Sequence, residues 1–451
     1  MPSPSGDPAS HAPVPSSVPS SAPRQTRLDS YVDRYAERTQ GMKASEIRAL
    51  FAVASRPEVV SLAGGMPNIS GLPIDAVATT LGDLVRHHGV LAMQYGSGQG
   101  DPTLRNQICE VMALEGIAAH PDDVVVTVGS QQAVDLVTRV FCDPGDVVFC
   151  EAPSYVGALG VFGAYECDVV HVEMDADGLV PSALQQAITA VAGSGRRAKF
   201  LYTIPNFHNP AGVTMSAARR AQVLDICRAA DLLVLEDNPY GLLGFDGDPI
   251  PALRADEAEH VVYLGSFSKT FAPGFRVGWA LAPHAVREKL VLAQESSTLC
   301  PPTFSQLAVS AYLTKHDWQS QIKAFNEMYR VRRDAMLSAL DDHMPVDASW
   351  TIPAGGFYVW VTLPEGLDAK SMLPRAVTAR VAYVPGTAFY ADGFGTRCMR
   401  LSYCYPSPER IDEGVRRLAG VIADELELRE TFGATRSAIT RGYEGPTPDL
   451  T

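Results

Sequence analysis

The chain has 451 residues, a formal charge of −14 and a pI near 5.2. That length allows one large domain and a smaller one with ample core. The acidic balance argues against a general binder of nucleic acid or anionic membrane. No apolar run approaches the roughly 18 residues of a membrane helix.

Residues 1–40, rich in Pro, Ser and Ala over Met1 to Arg24, lack an apolar signal core and read as a disordered tail. The 8 cysteines form no C-x-x-C pair, so no metal site is expected, and reduced thiols in a cytoplasmic protein are the reading. Lys43 to Val53 has the spacing of a first helix, with Arg48 inside it. Ala63-Gly64-Gly65-Met66-Pro67 follows; its glycines permit close approach of a ligand, although an ordinary loop reads the same way. Tyr95-Gly96-Ser97-Gly98-Gln99-Gly100 opens onto a helix from Pro102. Val124 to Val128 is a β-branched strand, and Gly129-Ser130-Gln131 turns from it into a helix. A glycine turn before a helix N-terminus cradles anions; Ser130 can equally be a plain N-cap.

Asp146 to Cys150 is a buried strand leading to Tyr155, a position for a core, surface or functional aromatic. Cys167 to Val172 and Ala198 to Thr203 add strands, with intervening helices sized for βαβ crossovers. Pro205 to Gly212 is a strongly punctuated turn holding His208 and Asn209. The strand Leu232 to Leu235 ends in Glu236-Asp237-Asn238-Pro239-Tyr240, where the aspartate caps a turn or serves a ligand.

A further apolar run, His260 to Leu264, delivers Ser266-Phe267-Ser268-Lys269, with Arg276 shortly after. Burial lowers a lysine's pKa and favours the neutral amine, which forms a Schiff base with a carbonyl. The two serines and the arginine are donors suited to phosphate. Lysine imine plus phosphate is what a pyridoxal phosphate (PLP) site needs. Long helices are expected over Thr303 to Leu313 and Trp318 to Leu340, and strands over Gly355 to Val361, Val381 to Gly386 and Cys398 to Tyr403. Arg400 lies inside that last apolar strand, so it either pairs with a protein acid or awaits a ligand carboxylate. The final helix is expected over Pro406 to Leu428 and a loose tail over 429–451.

The segment S-F-S-K-T-F-A-P-G-F-R-V-G-W, with N-P-A-G at Asn209, D-N-P-Y at Asp237 and M-R-L-S-Y at Arg400, resembles fold-type I PLP aminotransferases. Within them it is most similar to the branch of 2-aminoadipate/kynurenine aminotransferases and MocR effector domains. The resemblance spans about Lys43 to Leu428. It implies an α/β large domain (91–300) with a mostly parallel seven-stranded sheet, and a smaller α+β domain from 301–428 joined by an arm over 41–90. Lys269 would carry the cofactor, Asp237 face the ring nitrogen, and Asn209 and Tyr240 bond the ring oxygen. Tyr155 would stack on the ring; Ser130, Gln131, Ser266, Ser268 and Arg276 would hold the phosphate. Arg400, with Gly65 and Asn209, would receive the substrate carboxylate. Tyr95 would complete a neighbour's site in a homodimer. Two departures are Ala211 for the commoner threonine and His208 for a glutamine. The implied reaction is ping-pong transfer of an amino group from an amino acid to a 2-oxo acid. Another PLP reaction, such as β-elimination or decarboxylation, uses the same residues. A non-enzymatic MocR-like effector domain is the weaker alternative, since only about 40 Pro/Ser-rich residues precede the fold.

Overall fold

The computed structural model describes residues 29–42 and 56–441. The expected helix over Lys43 to Val53, with Arg48, lies outside them. Residues 32–34 and 37–41, inside the stretch expected to be a tail, form short 3₁₀ turns.

The strands are β1 (Val60–Ser61), β2 (Val124–Thr127), β3 (Val147–Ala152), β4 (Asp168–Asp175), β5 (Gly178–Leu179), β6 (Ala198–Thr203), β7 (Leu233–Asp237) and β8 (Val261–Ser266). They continue with β9 (Gly278–Leu281), β10 (Ser349–Trp350), β11 (Tyr358–Thr362), β12 (Val381–Ala382), β13 (Val384–Pro385) and β14 (Cys398–Ser402). The large sheet runs β2-β9-β8-β7-β6-β3-β4-β5. Its seven main strands are joined at one edge by the two-residue β5, which the sequence reading did not separate from β4. Strands β8, β7, β6, β3 and β4 are mutually parallel, while β9 runs against both neighbours.

Most of these strands are near-continuous apolar runs, rich in Val, Leu and aromatics, because helices cover both faces. The two-residue period then sends neighbours to opposite cores. Val148 and Cys150 of β3 join one cluster with Ala133 and Val137; Val147 and Phe149 join the other with Leu184 and Val223. In such a sheet the ligand crevice lies beyond the carboxyl ends of the strands. Thr127, Ala152, Thr203, Asp237 and Ser266 are the last residues of β2, β3, β6, β7 and β8.

A second, antiparallel sheet, β10-β11-β14-β13, packs with the helices Trp318–His343, Ala369–Thr378 and Pro408–Arg441. Strand β1 pairs with β12, bringing the segment before Gly65 to this layer. The last helix runs on through residues 429–441, where a loose tail was expected. The residues there include good helix formers (Arg, Glu, Ala) and no proline stops them.

Candidate active site

The strand ends enclose a cavity of about 400 Å³, within the range of small-molecule sites. Its wall includes Ser130, Tyr155, Asn209, Asp237, Tyr240, Ser266, Ser268, Lys269, Gly65 and Arg400. Ten residues singled out from the sequence thus meet in one place, drawn from positions 335 apart in number between Gly65 and Arg400.

Lys269 leaves β8 by a tight turn and points its amine inward. Its Nζ donates to the Gly65 carbonyl at 2.9 Å, with the Phe357 ring 5.6 Å away. Burial pulls its pKa down to about 8, and the cations Arg400 and Arg276 push the same way. Asp237 ends β7, the strand beside β8. Its Oδ2 accepts from the Tyr202 hydroxyl at 2.7 Å, while Oδ1 is buried without a partner. Burial raises this carboxyl to about 6.

Arg400 is 2% exposed. Nη1 donates to Asn209 Oδ1 at 2.9 Å and Nη2 to the Ala63 carbonyl at 2.8 Å; Nε is buried and unpartnered. No acid pairs with it among the described residues. Its guanidinium carries five N–H donors, so several stay available for a carboxylate.

At the other end, Gly129 caps the helix Ser130–Phe141 with φ 76°, a value suited to glycine. Gly278 lies against it, and a Cβ there would sit 2.6 Å from Ser130 N. Arg276 reaches over with Nη1 to Ser268 Oγ at 3.3 Å and Nη2 to the Val128 carbonyl at 3.1 Å. Ser266 Oγ accepts from Ser268 N at 3.0 Å, shaping the turn. Two hydroxyls, a helix N-terminus and a guanidinium make an anion cradle. Gln131 is not on the cavity wall; it donates to the Gly157 carbonyl at 2.9 Å beside Tyr155. Tyr155 is itself largely buried, with its hydroxyl pushed up to about 12 by burial. Tyr95 is 76% exposed and lies outside the cavity.

Below the floor runs a buried chain of hydrogen bonds. Arg220 Nη2 donates to Asn206 Oδ1 at 2.5 Å, and Asn206 Nδ2 to Asn238 Oδ1 at 3.2 Å. Asn238 Nδ2 and the Tyr263 hydroxyl then donate to the two oxygens of Glu115 at 2.6 and 2.7 Å. This chain ties the turn holding Asn209 to the turn holding Asp237 and Tyr240. Beside it, Glu151 accepts from Thr203 Oγ1 and Ile204 N, at 2.7 and 2.8 Å, with His208 Nε2 3.0 Å away. His208 is fully buried there, a structural place for the residue that departs from the glutamine. Sequence reasoning missed Tyr202, Tyr358, Glu115 and Glu151; each looks like an ordinary core or helix-end residue until the fold supplies its partner.

An electron-poor ring with a phosphate suits this cavity. The orphaned Asp237 oxygen wants a cationic N–H, the cradle wants a dianion, and the amine of Lys269 lies on the same cavity wall. Comparison with known proteins gives the same answer. The family described as aminotransferase class I and II matches residues 58–418. The chain is 43% identical to aromatic-amino-acid aminotransferase 1 of Thermococcus litoralis, over 87% of this chain and 94% of that protein. It superimposes on the solved kynurenine aminotransferase of Pyrococcus horikoshii with a TM-score of 0.84 and 38% identity, covering 88% and 99% of the two chains. The α-aminoadipate aminotransferase of Thermus thermophilus, solved with N-(5'-phosphopyridoxyl)-L-leucine, gives 0.82 and 35%, covering 88% and 100%.

Proposed function

Since the chain belongs to the class I and II aminotransferases, with their aspartate-aminotransferase-like fold and PLP-dependent transamination, we propose how its own residues divide that work. The observation that carries the assignment is that Lys269 and Asp237, at the ends of adjacent parallel strands, line one cavity with Arg400.

The cofactor supplies a carbonyl to take up the amino group and a cationic ring that draws electrons from the substrate Cα. Lys269 is the residue that binds it covalently. Asp237, oriented by Tyr202, holds a proton on the ring nitrogen. Asn209 and Tyr240 would bond the ring oxygen, Tyr155 would cover a ring face, and Ser130, Ser266, Ser268 and Arg276 would hold the phosphate, with Gln131 bonded to the Gly157 carbonyl nearby. Arg400 forks the substrate carboxylate, at a place kept open by Gly65. The Lys269 amine would take the proton from the substrate Cα and give it back in the same cavity. A pKa near 8 suits both directions at neutral pH.

The substrates are amino acids and 2-oxo acids. Relatives named for aromatic amino acids, kynurenine and 2-aminoadipate make those three the first donors to try. Exposed Val90, Leu91, Met93 and Tyr95 form an apolar stretch that favours a homodimer in which Tyr95 serves the neighbour's phosphate site. All eight cysteines stand as free thiols, in keeping with a cytoplasmic enzyme. No described helix is long and apolar enough to cross a membrane.

The test is Lys269→Ala with PLP added. The variant is expected to lose turnover with every donor and to lose the visible band of the lysine-bound cofactor. Retained transamination would defeat the role given to Lys269.

A further inference from the structure

One polar group on the cavity wall has no part in that division of work. Tyr358 is the first residue of β11, is 2% exposed and lines the cavity with Lys269 and Arg400. It stands opposite Ser402 on β14, so Arg400, two residues earlier, is its diagonal neighbour on the same face. The Tyr358 ring accordingly lies against the guanidinium, with Arg400 Cζ 4.2 Å from the ring centroid. Phe389 flanks the guanidinium as well, at 5.0 Å. The two rings fix the plane in which Arg400 can present its donors.

The hydroxyl is the more informative part. It accepts from the Tyr240 hydroxyl at 3.4 Å. A phenol has one proton of its own to give, and no described residue accepts it. A Cβ at Gly65 would overlap this hydroxyl, so the glycine is what admits it to the cavity. The same Gly65 anchors the Lys269 amine through its carbonyl. The free donor therefore lies between the anchor of the lysine and the guanidinium, where the carboxylate and Cα of a docked amino acid come together.

We propose that Tyr358 belongs to the substrate-carboxylate site: its ring is the shelf that orients Arg400, and its hydroxyl donates a hydrogen bond to a carboxylate oxygen of the amino or 2-oxo acid. The proposal rests on Arg400 as the carboxylate dock. It also gives Gly65 a reason beyond loop geometry, because any side chain there would displace the donor.

The experiment uses PLP-loaded wild type, Tyr358→Phe, Tyr358→Leu and Arg400→Gln. The probe is 3-phenylpropionate, which has a carboxylate but no amine to react; calorimetry gives its dissociation constant, and steady-state kinetics with phenylalanine give KM and kcat. Tyr358→Phe keeps the shelf and loses the donor. Its dissociation constant is expected to rise about ten-fold, the scale of a hydrogen bond to a charged group, with KM rising more than kcat falls. Tyr358→Leu loses the shelf too and is expected to weaken binding about a hundred-fold. Binding by Tyr358→Phe as tight as wild type, with KM unchanged, overturns the proposal whether or not the leucine variant folds. If Arg400→Gln weakens the probe and Tyr358→Phe does not, only the tyrosine's role falls. If neither weakens it, the carboxylate is not bound at Arg400 and the reading beneath falls as well. Should 3-phenylpropionate not bind wild type, the KM for the best donor of a panel decides by the same comparison.

Discussion

Replacing Asp237 by Asn should stabilise the protein without its cofactor and weaken the protein with it. The carboxyl is buried, held at Oδ2 by Tyr202, and has nothing to meet Oδ1. Burial raises its pKa from 3.8 to about 6. A folded-state value above the unfolded one means that the native state holds the extra proton between those two values. Stability from this group is then complete below pH 3.8 and lost as pH rises through about 6. At 1.36 kcal/mol per pH unit, the loss by pH 7.5 is about 3 kcal/mol. Spread over an unfolding entropy of about 2.1 cal/mol/K per residue, that is about 3 °C in Tm for a chain of this length. The assay is thermal unfolding of cofactor-free wild type and Asp237→Asn from pH 4 to 8. The two should coincide near pH 4 and separate by about 3 °C, with Asn the more stable, at pH 7.5. With PLP bound, the orphan oxygen gains a cationic partner and the order should reverse, because a buried pair that loses one member costs about 3–5 kcal/mol. An Asn variant that is equally destabilised at pH 4 and 7.5, or that binds PLP as tightly as wild type, would refute the account.

Glu115→Ala should cost about 2–5 kcal/mol in urea unfolding, by leaving Asn238 Nδ2 and the Tyr263 hydroxyl without an acceptor. Burial raises Glu115 to about 8, so it is mainly neutral at pH 7 and Glu115→Gln should cost less than half as much. Glu151→Ala should weaken PLP binding as well as stability, since Thr203, Ile204 and His208 converge on it just before Asn209; an unchanged PLP dissociation constant would detach that acid from the site. In cofactor-free protein, Lys269→Met should raise Tm at pH 7. The lysine's folded value, about 8, lies below its unfolded 10.5, so its penalty is complete below pH 8 and gone above pH 10.5, and the gain should fade over that window.

Much of this was legible in the chain because parallel strands buried on both faces must be apolar throughout. A charge or hydroxyl at the end of such a run, as at Asp237 and Ser266, then stands out. Arg400 was legible for the related reason that a cation inside Cys398 to Ser402 has no cheap structural explanation. What stayed hidden is set by pairing across distance. Tyr358 reads as one more aromatic in β11 until register places it diagonal to Arg400. Glu115 reads as the frayed end of a helix until Tyr263 and Asn238, more than 100 residues on, close around it. Tyr95 is exposed and outside the cavity, so the fold of the single chain does not single it out.

The electrostatics of the cavity form one system rather than separate sites. At a pKa near 8, about one Lys269 in ten is neutral at pH 7, against about one in three thousand at 10.5. Burial does most of this, and Arg400 and Arg276 add to it. Those are the same two cations proposed to meet the substrate carboxylate and the phosphate. Each anion that docks on them cancels part of the field that keeps the amine neutral. Asp237 acts in the opposite sense, as a minor cause beside burial. Burial and two flanking cations thus set the fraction of neutral Lys269 together, and a change at either arginine is expected to shift it.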